Sequence, residues 1–389
     1  MSFSYLVLGA GRQGTAAAYD LLRFGDARRV TLADHNAVQA QNAAGRLASL
    51  ASPDQHAVID TIIFDAANEQ AAFDVMQGYD VVLSAVPYRY NLGLSRAAIR
   101  AGASFCDLGG NTELVRQQHA LHKDAKQAGV RIVPDCGMGP GMGNTLAVHA
   151  MSLLDDATHV SIFDGGLPEN PRQPWRYEST FNIEGLANEY YGGITVLRDG
   201  KLTHLPCFSE LEMITVPGIG TLEAFVVAGG VSTAPWSFLG QLETFQLKIL
   251  RYPGTFTQLK AFSDLGLFSP EPITVEGMQI SPRAVFKALY EPQVRSDDPR
   301  DVCIILASAR GTHDGKSAEA TVQLIDRFDE ATGFTAMERT TGWHASIVAI
   351  MLARGEIPVG AIPLELALPG DIFVKEARRR GLTIEERLS

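Results

Sequence analysis

Gly9-Ala10-Gly11-Arg12-Gln13-Gly14 follows a short apolar run, Ser4–Leu8, and opens a helix-forming segment, Thr15–Leu22, that stops at Gly25. A second apolar run, Val30–Ala33, ends in Asp34, twenty residues beyond Gly14. Strand, glycine turn, helix, strand and acid at this spacing can hold a dinucleotide. Gly9 permits the tight turn, Gly11 lets the backbone approach a pyrophosphate, and Gly14 lets the helix pack close to the sheet. The first turn of that helix offers free N–H groups and a partial positive charge to the same phosphates. Asp34 can accept hydrogen bonds from the adenosine ribose, and its charge opposes a 2′-phosphate. His35 and Asn36 bring no Arg or Lys to welcome one, so NAD is expected over NADP. Arg12 and Gln13 are expected to line the cofactor from within the loop.

Ligands in open α/β sheets bind beyond the carboxyl ends of the strands. That directs attention to Asp65 after the third strand, Val86-Pro87-Tyr88 after the fourth, Asp107–Asn111 after the fifth and Asp135–Gly143 after the sixth. Asp65, Val86 and Pro87 are further cofactor candidates. Asp135 suits proton transfer and suits a loop cap equally well, and Tyr88 is balanced in the same way between a site residue and a packed aromatic. His119 and His122 read as surface residues. No cluster of His, Cys and carboxylates has metal-ligand spacing, so no metal is expected.

The elements that must position these residues alternate strand and helix over about the first 135 residues, the pattern of a doubly wound parallel sheet. The expected elements include helices over Asn36–Leu50, Glu69–Met76, Leu92–Ala101 and Thr112–Ala128, and strands over Thr61–Phe64, Asp80–Ala85, Ser104–Leu108 and Val130–Val133. After Cys136–Gly143 the pattern changes to hairpins, with Asp199-Gly200 as a two-residue turn and further strands over Glu243–Tyr252, Val302–Ala309 and Ala318–Phe328. The tail, Gly342–Ala353 and Pro369–Arg380, reads as helical. The fold class is therefore α/β: residues 1–140 and 341–389 form a Rossmann domain completed by C-terminal helices, and 141–340 an α+β substrate and oligomerisation domain with a mostly antiparallel sheet.

Composition narrows the function. The chain has 389 residues and a formal net charge of −11, so phosphate backbones of nucleic acid are not an expected partner. No apolar stretch approaches the ~20 residues that span a bilayer. The first strand begins at once, and the four cysteines lack CxxC spacing, so a cytoplasmic protein with free thiols is expected.

LVLGAGRQG at 6–14, DVVLSAVPYRYN at 80–91, CDLGGN at 106–111, PDCGMGPGM at 134–142 and DGGLPE at 164–169 occur in the order of one group. So do TLEAF and GGVST at 221–233, ILRYPG at 249–254 and LPGD at 368–371. The chain resembles the saccharopine dehydrogenase family, most closely its lysine 6-dehydrogenase branch. The resemblance implies hydride exchange between a nicotinamide and a carbon bearing nitrogen in an amino acid, in a homodimer or homotetramer. It places Tyr88 and Asp135 at the catalytic centre, together with Asp164, where fungal members carry cysteine. An acid there suits an ammonium better than saccharopine's glutamyl carboxylates. Arg251 is the candidate clamp for an α-carboxylate. The expected reaction is oxidative deamination of the lysine ε-amine. A saccharopine dehydrogenase is the alternative, then another C–N reductase acting on a polyamine, then a non-catalytic NAD-binding redox sensor.

Overall fold

The computed structural model describes residues 2–51, 57–295 and 298–389. Its first part is β1 (Phe3–Leu8), α1 (Arg12–Phe24), β2 (Ala27–Asp34), α2 (Ala37–Leu50), β3 (Val58–Ile63), α3 (Glu69–Met76), β4 (Val81–Ser84), α4 (Asn91–Ala101) and β5 (Ser104–Asp107), followed by α5 (Thr112–His119), α6 (His122–Ala128) and β6 (Arg131–Val133). The six strands form a parallel sheet in the order β6-β5-β4-β1-β2-β3. β1 and β4 are buried almost throughout, as strands covered on both faces must be. Asn36 caps α2 by accepting from the N–H groups of Val38 and Gln39, and Gly102 closes α4 in the left-handed region.

The single helix expected over Thr112–Ala128 is two helices. Gln118 is drawn into the interior, where its Nε2 donates to Asp107 Oδ2 at 2.6 Å and Ser95 Oγ at 2.9 Å. His122 is tied elsewhere, with Nδ1 3.0 Å from the Ala361 carbonyl. One straight helix does not serve both anchors, and the axis breaks between them.

The second part comprises α7 (Met142–Ser152), β7 (Asp156–Pro168), α8 (Ile183–Glu189), β8 (Gly193–Arg198), β9 (Lys201–Pro206), β10 (Glu212–Val216), β11 (Gly220–Phe225), α9 (Ala234–Ser237), β12 (Thr244–Arg251), α10 (Thr255–Asp264), a separate hairpin of β13 (Ile273–Val275) and β14 (Met278–Ile280), α11 (Pro282–Val294), β15 (Asp301–His313) and β16 (Lys316–Arg327). The sheet runs β10-β11-β12-β7-β15-β16, with β8 and β9 attached beside β12. Its pairs are antiparallel except β12 with β7. The β8–β9 turn has positive φ at both Asp199 and Gly200, as a two-residue hairpin needs.

The chain then returns through α12 (Ala336–Glu338), α13 (His344–Arg354), β17 (Gly360–Ala361), α14 (Leu364–Ala367), α15 (Gly370–Arg379) and β18 (Ile384–Leu388). β17 adds a seventh parallel strand beside β6. β18 instead pairs antiparallel with β16, from Ala320↔Leu388 to Leu324↔Ile384. Both helices expected in the tail are present, and beyond them residues 384–388 add a strand that lies in the second sheet rather than with the Rossmann domain. IEERL is charged at its centre, as edge strands commonly are, and that hid its strand character. One apolar core joins the two sheets, running from Tyr5 and Leu32 through Met142 and Leu146 of α7 to Val322. Among the described residues, no helix is long and apolar enough to cross a membrane.

Candidate active site

The sheet order reverses between β1 and β4, and the glycine loop lies there. A Cβ on Gly14 would stand 1.8 Å from the Gly9 carbonyl oxygen, so only glycine lets α1 start so close to the turn. A Cβ on Gly11 meets nothing nearer than Gln39 Nε2 at 3.6 Å. The backbone at Gly11 is thus open to a ligand rather than crowded by protein. α1 has no side-chain cap, which leaves its first N–H groups for an anion. Gln13 Oε1 is buried without a hydrogen-bond partner among the described residues. Beside the loop is a pocket of about 420 Å³ whose lining includes Gly11, Asn36, Gln39, Asn42 and Arg46. An open glycine, an uncapped helix and an orphaned amide oxygen fit a nicotinamide dinucleotide.

The other cofactor candidates are placed unevenly. Arg12 lines the pocket while donating to Glu338 Oε1 at 2.9 Å and Thr335 Oγ1 at 3.2 Å. It pins the loop to the returning chain. Asp34 accepts from Ala10 N and Asn36 N, both at 2.8 Å, so its carboxylate also shapes the loop. Val86 is half-buried against Gly9, and Pro87 is exposed. Asp65 lies exposed beyond the edge strand β3 and caps the next turn through Ala67 N.

Beyond β5 and β6 the structure buries two acids together. Asp107 accepts from Gly109 N at 2.7 Å and from Gln118, and burial lifts its carboxyl to about 6. Asp135 adopts φ 65 and is 3% exposed, with Oδ1 unpartnered among the described residues. Burial pushes its pKa well above the ordinary carboxylate value. The Ser232 hydroxyl beside it works the other way, and the charges of Asp107 and Glu365 raise it further. A Cβ on Gly109 would stand 2.2 Å from Asp135 Oδ1, so this acid lies directly against the β5 loop. Tyr88 packs on the neighbouring glycine, with Cδ1 3.0 Å from where a Gly110 Cβ would be.

The second domain brings three more groups. Asp164 of β7 is paired in register with Ile249 of β12, so Arg251, two residues on, faces the same side of the sheet. Asp164 Oδ2 would be 2.3 Å from a Cβ on Gly139, which puts this carboxylate against the loop that follows Asp135. Burial and then the charge of Glu189 raise Asp164 to about 7, against the pull of Arg251. Arg251 is 2% exposed and donates to Tyr190 Oη at 2.9 Å, Leu250 O at 3.0 Å and Glu189 Oε1 at 2.9 Å. Three of its five N–H donors are engaged. α8 closes the circuit, since Asn188 Nδ2 donates to Gly110 O at 3.0 Å.

Tyr88, Asp135, Asp164 and Arg251 are thus joined through Gly109-Gly110, the Asp135–Gly143 loop and α8. Sequence reasoning missed Glu189, which ends a helix that the sequence did not reveal. It also missed Tyr177, Thr180 and His344. His344 bridges Cys136 O at 2.8 Å and Thr145 Oγ1 at 3.0 Å under the loop. Ser232 lay within the GGVST motif, but nothing in its spacing pointed to Asp135. Among the described residues, no group of His, Cys, Asp and Glu could hold a metal ion.

Comparison with known proteins identifies the family and the fold. Residues 5–133 match the saccharopine dehydrogenase NADP binding domain, and residues 137–378 match the saccharopine dehydrogenase C-terminal domain. The carboxynorspermidine synthase of Vibrio cholerae is 23% identical over 71% of this chain and 70% of its own length. The carboxyaminopropylagmatine dehydrogenase of Synechocystis is 22% identical over 98% of this chain and 96% of its own. Apo saccharopine dehydrogenase (L-Glu forming) from Saccharomyces cerevisiae superposes with a TM-score of 0.77 at 19% identity, covering all of both chains. The fold is therefore shared, and the cradle is that of a nicotinamide nucleotide. The chain belongs to the saccharopine dehydrogenase family and is an enzyme of that type, a dehydrogenase acting on a C–N bond.

Proposed function

We propose that the protein oxidises the ε-amine of lysine with NAD, giving 2-aminoadipate 6-semialdehyde and ammonia. The observation that carries this reading is Asp164, a buried acid on the substrate wall with Glu189 behind it. Such a wall suits a substrate bearing an ammonium at the end remote from the reacting bond.

The nicotinamide, when bound, supplies the hydride acceptor for Cε. The chain manages protons and position. The ε-ammonium has a reference pKa near 10.4 and must lose a proton before its carbon can release hydride. Asp135, with its free Oδ1 and raised pKa, accepts that proton. Water then adds to the iminium carbon and releases one proton to solvent. Asp135 returns its proton to nitrogen, and ammonia leaves with the second water proton as ammonium while the water oxygen becomes the aldehyde oxygen. Tyr88 closes the side of the site next to Gly110. The two unused donors of Arg251 face the α-carboxylate.

NADH formation from lysine, saccharopine, ornithine and polyamines at alkaline pH tests the reading. Lysine should give the highest kcat/KM, and saccharopine or a polyamine ahead of it would overturn the assignment. The names of the relatives favour a second reading, a secondary amine formed between an amine and a carboxylated carbon chain. The panel distinguishes the two. Assembly into a homodimer or homotetramer belongs to the same proposal and is read by light scattering.

Preference for NAD rests on the negative Asp34 next to the pocket, although the matching domain is described by NADP. Asp34→Asn with His35→Arg keeps an acceptor for Ala10 N while removing the charge. This variant should move kcat/KM towards NADP by about tenfold or more. A wild-type protein that already uses NADP better than NAD would sink the reading of Asp34.

A pH profile gives another check. Asp164 ionises near pH 7 in the folded protein, so it is neutral below and charged above. kcat/KM for lysine should therefore climb through neutrality, in addition to the rise from the ε-amine at higher pH. Asp164→Asn should lose the neutral limb and retain the alkaline one. An unchanged limb would remove Asp164 from the substrate wall.

A further inference from the structure

Around Asp164 the second domain buries an unbalanced set of charges. Two carboxylates, Asp164 and Glu189, stand against one guanidinium, Arg251, and that guanidinium donates to Glu189. Among the described residues, the only cation acting on either carboxylate is Arg251. The walls are aromatic: Tyr190 stacks on Phe208 and Phe225, and the Tyr177 ring lies 5.6 Å from Arg251 Cζ. With both carboxylates ionised the set is one positive charge short, and a buried charge without a partner is costly.

Two hydroxyls lie beside this deficit. Tyr177 Oη and Thr180 Oγ1 belong to residues 3% and 5% exposed and lie close enough to act on each other, but neither has a further hydrogen-bond partner among the described residues. The charges of Arg251 and Glu189 both act on Tyr177. Thr180 Oγ1 is 3.4 Å from where a Cβ on Gly166 would stand, two residues along β7 from Asp164. Two hydroxyls that share one hydrogen still keep acceptor lone pairs, and buried polar groups are ordinarily satisfied, so a group that donates to them belongs in this corner. An ammonium has three N–H donors and one positive charge. It answers both shortages at once.

We infer that Asp164 and Glu189 together hold a second, non-reacting ammonium of the substrate, with the hydroxyls of Tyr177 and Thr180 completing its hydrogen bonds. Glu189 then sets specificity for amines that carry a cation at the far end from the bond being oxidised. The inference rests on the proposed C–N oxidation for where the reacting end lies. The holder itself is set by charge and burial.

Three amines of matched length separate the contributions. Lysine carries the remote ammonium and a carboxylate, 1,5-diaminopentane only the ammonium, and 6-aminohexanoate only the carboxylate. The wild-type enzyme should favour 1,5-diaminopentane over 6-aminohexanoate. Glu189→Gln should raise KM for lysine and 1,5-diaminopentane by about tenfold or more, with 6-aminohexanoate changed less than about twofold. Asp164→Asn should do the same, and the hydrogen bonds of Arg251 to Tyr190, Leu250 and Glu189 do not depend on it, so it serves if Glu189→Gln fails to fold. Equal losses on all three amines, or a wild-type preference for 6-aminohexanoate, would overturn the holder. Calorimetric titration of 1,5-diaminopentane into the NADH-loaded protein keeps the two readings apart. Binding that depends on Glu189, without turnover of any amine, would remove the oxidation and leave the holder standing. Turnover of lysine without that dependence would remove the holder alone.

Discussion

Asp135→Asn is expected to lower kcat by about 10²–10⁴-fold, the usual cost of losing a group that moves a proton in the transition state. Asparagine is the informative replacement because position 135 has φ 65. Asn tolerates the left-handed region better than most residues, whereas alanine there adds backbone strain. The amide also fills the space between Gly109 and the Ser232 hydroxyl, so the loop keeps its packing. What it lacks is the ability to take a proton from the substrate. KM should move much less than kcat, and circular dichroism and NADH binding should match the wild type. A folded variant with NADH affinity intact and kcat within a few-fold of wild type would show that the proton goes elsewhere.

Gly11→Val should raise the dissociation constant for NADH by about two orders of magnitude or more, because a branched side chain would fill the space where the pyrophosphate approaches. The geometry makes this a test of binding rather than of folding. Position 11 has φ −73, which valine can adopt. A Cβ there lies at ordinary van der Waals distance from its nearest neighbour, Gln39 Nε2. Gly14→Ala is the contrast: its Cβ collides with the Gly9 carbonyl, so that variant should lose Tm as well as cofactor. A Gly11→Val protein that binds NADH as tightly as wild type would take the dinucleotide out of this loop.

The dinucleotide half was legible because each of its signals is local. Gly9, Gly11 and Gly14 act through backbone geometry within six residues, Asn36 caps the helix that follows it, and Gly102 ends the helix before it. Asp135 was visible as a candidate, since a strand must deliver something at its carboxyl end. Its raised pKa comes first from burial and then from the charges of Asp107 and Glu365, and no spacing in the chain announces them. Arg251 shows the same limit from the other side. Its motif suggested a free clamp, while the structure commits three of its donors to Glu189, Tyr190 and Leu250. Those partners arrive on α8 and on β12 itself, and α8 was not readable as a helix. The breaking of Thr112–Ala128 was hidden likewise, because Gln118 bends inward only where Asp107 and Ser95 exist to receive it.

The returning chain finishes both sheets: β17 lies against β6, and β18 lies against β16. Neither sheet is complete until residues 360–388 have emerged from the ribosome. During synthesis, β6 and β16 each wait with an unpaired edge, the sort of surface that invites pairing with another chain. Capture of the β16 edge is discouraged by Lys316, Glu319 and Arg327 along it. A cofactor domain transplanted into a relative must therefore bring its segment of the returning chain with it.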